Sequence, residues 1–260
     1  MGLPFDAIDE KTLVRLVVEG ASAGEGGWVV TPNLDILRRF RSCHESRDLI
    51  LAASHRVADG QPIVWASRLA GMPLPERVTG SDLARSLTGA AARAGLSMFL
   101  LGGNPGVAAA AARRLRLRFP GHLQVESHCP PFGFGEDSDE LERIRAMLLR
   151  TRPALVLVGL GFPKQERLIH ALRTELPGTW FVGVGIALSF LAGEQPRAPA
   201  GVQRLGLEWL YRLVHEPRRL FRRYIVQDVP FAPILLGWAL ACRLLRVAGN
   251  GNGAQNGNRG

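Results

Sequence analysis

The chain lacks the features that mark several protein classes. It has only three cysteines, Cys43, Cys129 and Cys242, far apart and without a CxxC pair. That argues against a disulfide framework or a cysteine zinc site and fits a reducing compartment. The six histidines, His44, His55, His122, His128, His170 and His215, show no metal-ligand spacing. The opening stretch MGLPFDAIDEKTLVRL carries acidic residues and no long apolar core, so a signal peptide is not expected. Asp6 stands where a myristoylation motif requires Ser or Thr. There is no internal repeat. The most apolar stretch, VPFAPILLGWALACRLL, is interrupted by Pro230 and Pro233. A spanning helix needs about 20 apolar residues, so residues 234 to 245 read as too short and too proline-flanked to cross a bilayer. They are expected to lie in an interface or to pack on the core.

What is present is a chain of 260 residues, enough for one large α/β domain or a domain with an appendage. The net charge of +9 favours an anionic partner. Nucleic acid, an anionic membrane surface and a phosphorylated substrate all satisfy it.

Apolar runs alternate with helix-like patterns. Residues 7 to 23 read as an amphipathic helix, 27 to 31 as a strand, and a helix follows from about Leu34. Ile63-Val64-Trp65 is another short apolar run. Ser81 reads as the N-cap of a helix reaching about Ala94, with Asp82 in its first turn. SMFLLGG, LQVES, ALVLVGLG and WFVGVG read as further strands, with helices between them. This alternation predicts an α/β fold with a Rossmann-like, mainly parallel sheet flanked by helices. Such sheets bind ligands at the carboxyl ends of their strands, where TPN, GGNPG, GLGFPKQE and GVG all fall. After about Gly193 the composition turns helical, Arg-rich and aromatic. The expected organisation is a core over 1–195, a basic helical appendage over 196–247 and a disordered tail over 248–260.

Several short stretches have both a chemical and a purely local reading. In VVTPNLDILRRF, Thr31 and Asn33 either cap a helix or edge a ligand site. LLGGNPGVAAAAA, with Gly102, Gly103 and Asn104, is either a tight turn or a phosphate cradle at a helix N-terminus. It falls short of the dinucleotide fingerprint because Leu101 replaces the first glycine, although Glu126 follows at a suitable distance for a ribose-binding acid. In GLGFPKQE, Gly161 precedes Lys164 and Gln165 in a helix's first turn, where a cation is disfavoured unless an anion is near. Asp59-Gly60 is a common turn pair. EDSDE matches the DxD pattern of metal-dependent sugar transferases through Asp137 and Asp139, but it precedes a helix, where acids gather for dipole reasons.

Taken together, TPN, VADGQPIVWASRLAGMPLPERVTGSDL, FLLGGNPGVA, LVLVGLGFPKQE, FVGVGIALSFLAG and RAPAGVQRLGLEWLYRLVHEPRRLFRRY resemble the WecG/TagA/CpsF family of bacterial glycosyltransferases. They run in order over most of residues 27 to 224. The resemblance implies metal-independent, inverting transfer of a sugar from a UDP-sugar to a polyprenyl-diphosphate-linked saccharide. The setting would be cell-wall, capsule or exopolysaccharide synthesis, at the cytoplasmic face of the membrane. No cofactor and no nucleic acid are implied, and a homo-oligomer is left open. By the same resemblance Asp59 is the general base and Arg77 steadies the diphosphate. Thr31, Asn33 and Gln165 line the substrate pocket, and Gly102, Gly103, Asn104, Gly161, Lys164 and Gly185 join them at the strand ends. The basic appendage docks on the anionic membrane peripherally, through Arg212, Arg219, Arg222 and Arg223. The chain departs from the family pattern at Ile186, Leu188 and Ser189, where Gly, Phe and Asp are common, so the donor sugar is not implied. The competing reading is a nicotinamide-dependent oxidoreductase, resting on Gly103, Gly106 and Glu126.

Overall fold

The computed structural model describes the backbone of residues 2–204 and 206–255; the side chains of Glu136, Ala200, Arg204, Arg219 and residues 247–255 lie outside the described set. Six parallel strands form one sheet: β1 (Gly27–Val30), β2 (His55–Arg56), β3 (Met98–Gly102), β4 (Val125–His128), β5 (Leu155–Gly159) and β6 (Trp180–Gly183). Their order across the sheet is β2-β1-β6-β5-β3-β4. The fold is therefore α/β with a parallel sheet flanked by helices, and this strand order is not that of the doubly wound dinucleotide-binding sheet.

The strands are buried on both faces, as helices on either side require. Successive residues divide between two cores. Val29, Met98, Leu100, Leu155, Leu157 and Val182 face one core with α1 (Glu10–Ser22), α5 (Gly80–Ala94), α6 (Val107–Arg118) and α9 (Ala187–Ala192). Trp28, Val30, Phe99, Leu101, Val156, Val158 and Phe181 face the other, with α2 (Leu34–Ser42), α3 (His44–Leu51), α7 (Ser138–Thr151) and α8 (Lys164–Leu172). Strand β2 is only two residues long and has no apolar run to announce it. The apolar Ile63-Val64-Trp65 lies in helix α4 (Gln61–Leu69), with Ile63 and Val64 buried and Trp65 exposed.

The helix over 81 to 94 begins earlier than the sequence suggests. Its N-cap is Thr79, whose Oγ1 accepts from the Asp82 N–H at 3.0 Å and donates to the Asp82 carboxylate at 2.7 Å. Ser81 already lies inside the helix; the reciprocal Thr–Asp pair outcompetes a serine two residues later.

The C-terminal region comprises α10 (Ala200–Arg204), α11 (Glu208–His215), α12 (Pro217–Phe221), a π-helical segment (Arg222–Asp228) and α13 (Val229–Gln255). Pro217 sits at the first position of α12 and separates it from α11. Pro230 and Pro233 do not interrupt α13. Pro230 lies where the π-helical segment passes into α13, and Pro233 forgoes one bond while the helix continues on both sides. The run Arg222–Arg246 is 25 residues and, by length and composition alone, could cross a membrane. The expectation for 234 to 245 concerned a shorter run within this helix, and length and composition alone do not overturn it. One stripe of the helix, Phe231, Leu235 and Ala239, is buried against Ile63, Val64 and Ala66 of α4. The other side shows Ile234, Trp238, Leu240, Leu244 and Leu245 to the outside. Of the expected tail, 256–260 lies outside the described residues.

Candidate active site

The loops leaving the carboxyl ends of β1 and β2 are sewn together by backbone bonds that prolong the sheet. The N–H groups of Val57, Asp59 and Val78 donate to the carbonyls of Val30, Pro32 and Ala58 at 3.1, 3.0 and 2.9 Å. This ladder fixes Asp59 beside the Thr31-Pro32-Asn33 turn. Both readings of that turn have a counterpart. Asn33 caps α2, accepting from the Ile36 N–H at 3.1 Å. Thr31 caps nothing; it is buried, and its Oγ1 faces the start of α5.

Helix α5 starts with glycine because the approach is too close for a side chain. A Cβ on Gly80 would lie 3.2 Å from Val184 Cα and 3.4 Å from Thr31 Oγ1. With that space free, the Gly80 N–H reaches the Asp59 carboxyl. Burial pushes Asp59 up to about 6. Arg77, the Gly80 N–H and Arg212 oppose the rise, and Glu208 adds to it.

Three charged side chains, Arg77, Glu208 and Arg212, thus act on Asp59, and two more extend the network. Arg77 Nη1 lies 3.5 Å from Glu208 Oε2. Glu208 Oε1 is 3.5 Å from Arg197 Nε, and the fork of Arg197 grips Asp82 at 2.6 and 2.8 Å. Arg212 has its Nε buried without a hydrogen-bond partner among the described residues. Nearby Tyr224 is buried, and desolvation raises its hydroxyl; Arg212 and Asp59 both act on it. Glu208 and Arg212 come from α11, so the C-terminal region supplies part of this cluster.

The remaining strand ends form the floor. Gly102, Gly159 and Gly185 allow close backbone packing there. A Cβ on Gly102 would lie 2.7 Å from the Gly159 oxygen, and one on Gly159 would lie 2.7 Å from the Gly185 oxygen. The Gly103 N–H donates to Gly159 at 2.9 Å, and Asn104 is exposed. At the start of α8, Lys164 is exposed, whereas Gln165 is buried beside Gly183. Its Oε1 accepts from the Gly161 N–H at 3.2 Å and its Nε2 donates to Glu166 at 2.8 Å.

The four arginines singled out in the C-terminal region differ in setting. Arg212 acts electrostatically on Asp59 and Tyr224. Arg223 lies between Asp35, at 3.5 Å, and Asp228, at 3.9 Å, tying the π-helical segment to α2. Arg222 is exposed, and the side chain of Arg219 lies outside the described residues.

Other stretches take their local reading. Asp137 caps α7, accepting from the Asp139 and Glu140 N–H groups at 3.0 and 3.1 Å. Among the described residues no three His, Cys, Asp or Glu side chains converge in a metal-ligating group. Glu126 pairs across the sheet with Phe99 in mid-strand and approaches Arg150 at 3.5 Å at the surface, so it is not at the ligand-binding edge. That removes the ribose-binding acid from the oxidoreductase reading. Sequence reasoning missed Glu208, Arg197, Gly80 and Glu166. All lie inside the stretches quoted above, but no periodicity or spacing marks them: Glu208, Arg197 and Gly80 matter through partners distant in sequence, and Glu166 through its burial beside Gln165.

The model for the Glycosyl transferase WecG/TagA/CpsF family matches residues 1–244. Proteins from Staphylococcus aureus strains MW2, NCTC 8325 / PS 47 and COL, each named N-acetylglucosaminyldiphosphoundecaprenol N-acetyl-beta-D-mannosaminyltransferase, are 33% identical to this chain over 195 residues. The match covers 75% of this chain and 74% of each relative. The chain belongs to the WecG/TagA/CpsF family of glycosyltransferases.

Proposed function

We propose that this protein transfers a sugar, with inversion, from a UDP-sugar to a saccharide carried on a polyprenyl diphosphate, and that Asp59 is the general base. The observation that carries the reading is the setting of Asp59 at the carboxyl edge of the sheet, desolvated and flanked by Arg77 and Arg212. A carboxyl at about 6 is mostly ionised at neutral pH yet more basic than an exposed aspartate, which suits proton abstraction. It takes the proton of the acceptor hydroxyl as that oxygen attacks the anomeric carbon. The bond from that carbon to the diphosphate breaks on the opposite face, and UDP departs with its developing charge. The guanidinium of Arg77 meets that charge with paired donors, and the unpartnered Nε of Arg212 supplies another. The strand-end loops at Gly102–Asn104 and Gly161–Gln165, with Thr31, Asn33, Lys164 and Gly185, hold the donor. The relatives' name supports a polyprenyl-linked acceptor. Ile186, Leu188 and Ser189 leave the donor sugar to experiment.

The chemistry uses no metal in this reading, since Asp137 is committed to capping α7. The protein docks peripherally on the cytoplasmic face of the membrane. Exposed Arg222 and the outer side of α13 lead the contact.

The test is a panel of UDP-sugars offered with a polyprenyl-diphosphate-linked saccharide and scored for UDP release. One donor turning over only with the acceptor present is the expected result. No acceptor-dependent UDP release from any member of the panel would sink the reading.

A further inference from the structure

Glu166 is the one carboxylate in the first turn of α8, and it is fully buried. It lies over Gly183 at the end of β6, where a Cβ would stand 3.5 Å from its Oε1 and 2.6 Å from Gln165 Nε2. Its Oε1 accepts from Gln165 Nε2 at 2.8 Å, while its Oε2 is buried with no hydrogen-bond partner among the described residues. The other end of the Gln165 carboxamide accepts from the Gly161 N–H at 3.2 Å. These two bonds require one and the same orientation. A flipped amide would set its NH2 against the Gly161 N–H, losing that bond, and would set its oxygen against the Glu166 carboxylate whenever that group is ionised. The absence of a side chain on Gly183 is what lets the amide lie in this slot.

We propose that Glu166 is a positioning residue for the sugar transfer: it locks the Gln165 carboxamide in the orientation that also pins the Gly161 turn, and acts on the donor only through Gln165. This rests on the reading that Gln165 lines the donor pocket. Glu166 is too deeply buried to touch substrate. Burial pushes its carboxyl up to about 7, against the opposing effects of the Gln165 amide and its own backbone N–H. No charged side chain among the described residues contributes to that shift. The lock is therefore built around a neutral acceptor below pH 7. As pH rises through 7 the site acquires a buried charge with a single side-chain partner.

The experiment is a double-mutant cycle on the full chain, read as KM for the UDP-sugar and kcat. Glu166→Leu, similar in size but unable to accept, should raise KM about tenfold, the usual worth of a lost buried hydrogen bond, with kcat much less affected. In a Gln165→Ala background the same change should add nothing further. Glu166→Gln keeps the acceptor, so it should retain the wild-type KM. If Glu166→Leu raises KM as much in the Gln165→Ala background as alone, Glu166 does not work through Gln165 and the proposal fails. If Glu166→Leu does not fold, Glu166→Asp, which draws the carboxyl back by one methylene, takes its place in the same cycle, and an equal rise in KM in both backgrounds, or no rise in either, overturns the proposal. A Gln165→Ala variant with unchanged KM would instead remove Gln165 from the donor pocket, and the proposal with it.

Discussion

Arg77 and Glu208 stand 131 positions apart in sequence, yet their guanidinium and carboxylate approach to 3.5 Å over the carboxyl edge of the sheet. In the proposed reading the contact makes α11 part of the reaction centre. It also means that one carboxylate, Glu208, influences two functional groups, holding Arg77 and raising Asp59.

Asp59→Asn should lower turnover by roughly 10²–10⁴-fold, the usual worth of a general base, and leave UDP binding in place. In the wild type, kcat/KM should fall as pH drops below about 6, where the base becomes protonated. Steady-state rates across pH 5 to 8, with UDP affinity measured by calorimetry, check both. Near-normal turnover in the variant excludes Asp59 as base.

The neighbours of Asp59 should move that acid limb in opposite directions. Glu208→Gln removes a negative charge that disfavours the carboxylate, so the limb should shift to lower pH. Arg77→Gln removes a positive charge that favours it, so the limb should shift to higher pH and turnover should fall as well. Coincident limbs in all three proteins would disprove the electrostatic link.

Asp228 is raised to about 6, chiefly by burial and by Asp35, with Arg223 between the two. Its folded-state value lies above the unfolded one. Its contribution to stability is therefore full below pH 4 and lost as pH rises through 6. Asp228→Asn should flatten thermal stability over that window, whereas Arg223→Gln should lower it most at pH 7 and above, where two buried carboxylates then face each other. Unfolding midpoints measured from pH 4 to 8 test the pair; parallel curves for wild type and Asp228→Asn would count against it.

Asp137→Ala should cost about 1 kcal/mol of stability through loss of the α7 cap and leave turnover unchanged, with or without excess chelator. Activity lost on chelation and restored by Mg²⁺ or Mn²⁺ would return Asp137 and Asp139 to the DxD reading.

Replacing Arg222 by Glu and Trp238 by Ala should weaken sedimentation with anionic vesicles at low and moderate salt. Turnover on a short, soluble acceptor should be unaffected, because neither side chain faces Asp59. Unchanged sedimentation would leave this face without a membrane role.

Much of this arrangement is legible in the sequence, for a physical reason. Parallel strands covered on both faces must be apolar throughout, so β3, β5 and β6 stand out as runs ending in glycine. Their carboxyl ends mark where ligands bind. Strand β2 is hidden because two polar residues, His55 and Arg56, carry no pattern. Helix α13 is misjudged at Pro233 because a proline rule tuned to isolated helices ignores packing against α4, which holds the chain helical on both sides. Glu208 is invisible for a different reason: its partners Arg77 and Asp59 are brought to it only by the fold, and charge counting along the chain cannot supply them. Glu166 stands next to its partner Gln165, and what the sequence does not show is that both are buried.

The stripe Phe231, Leu235 and Ala239 rests on α4, and α4 begins two residues after Asp59. Gly206 presses on the same helix end, where a Cβ would come within 3.0 Å of Gln61. Helix α13 is thus a strut whose inner edge is bolted to the segment carrying the proposed base. In a docked molecule, the height of the reacting carboxylate above the lipid plane is then a dimension of the fold, set by how far along α4 the strut is seated. Lengthening or rotating α13 by a single residue would move that height without touching any residue of the pocket.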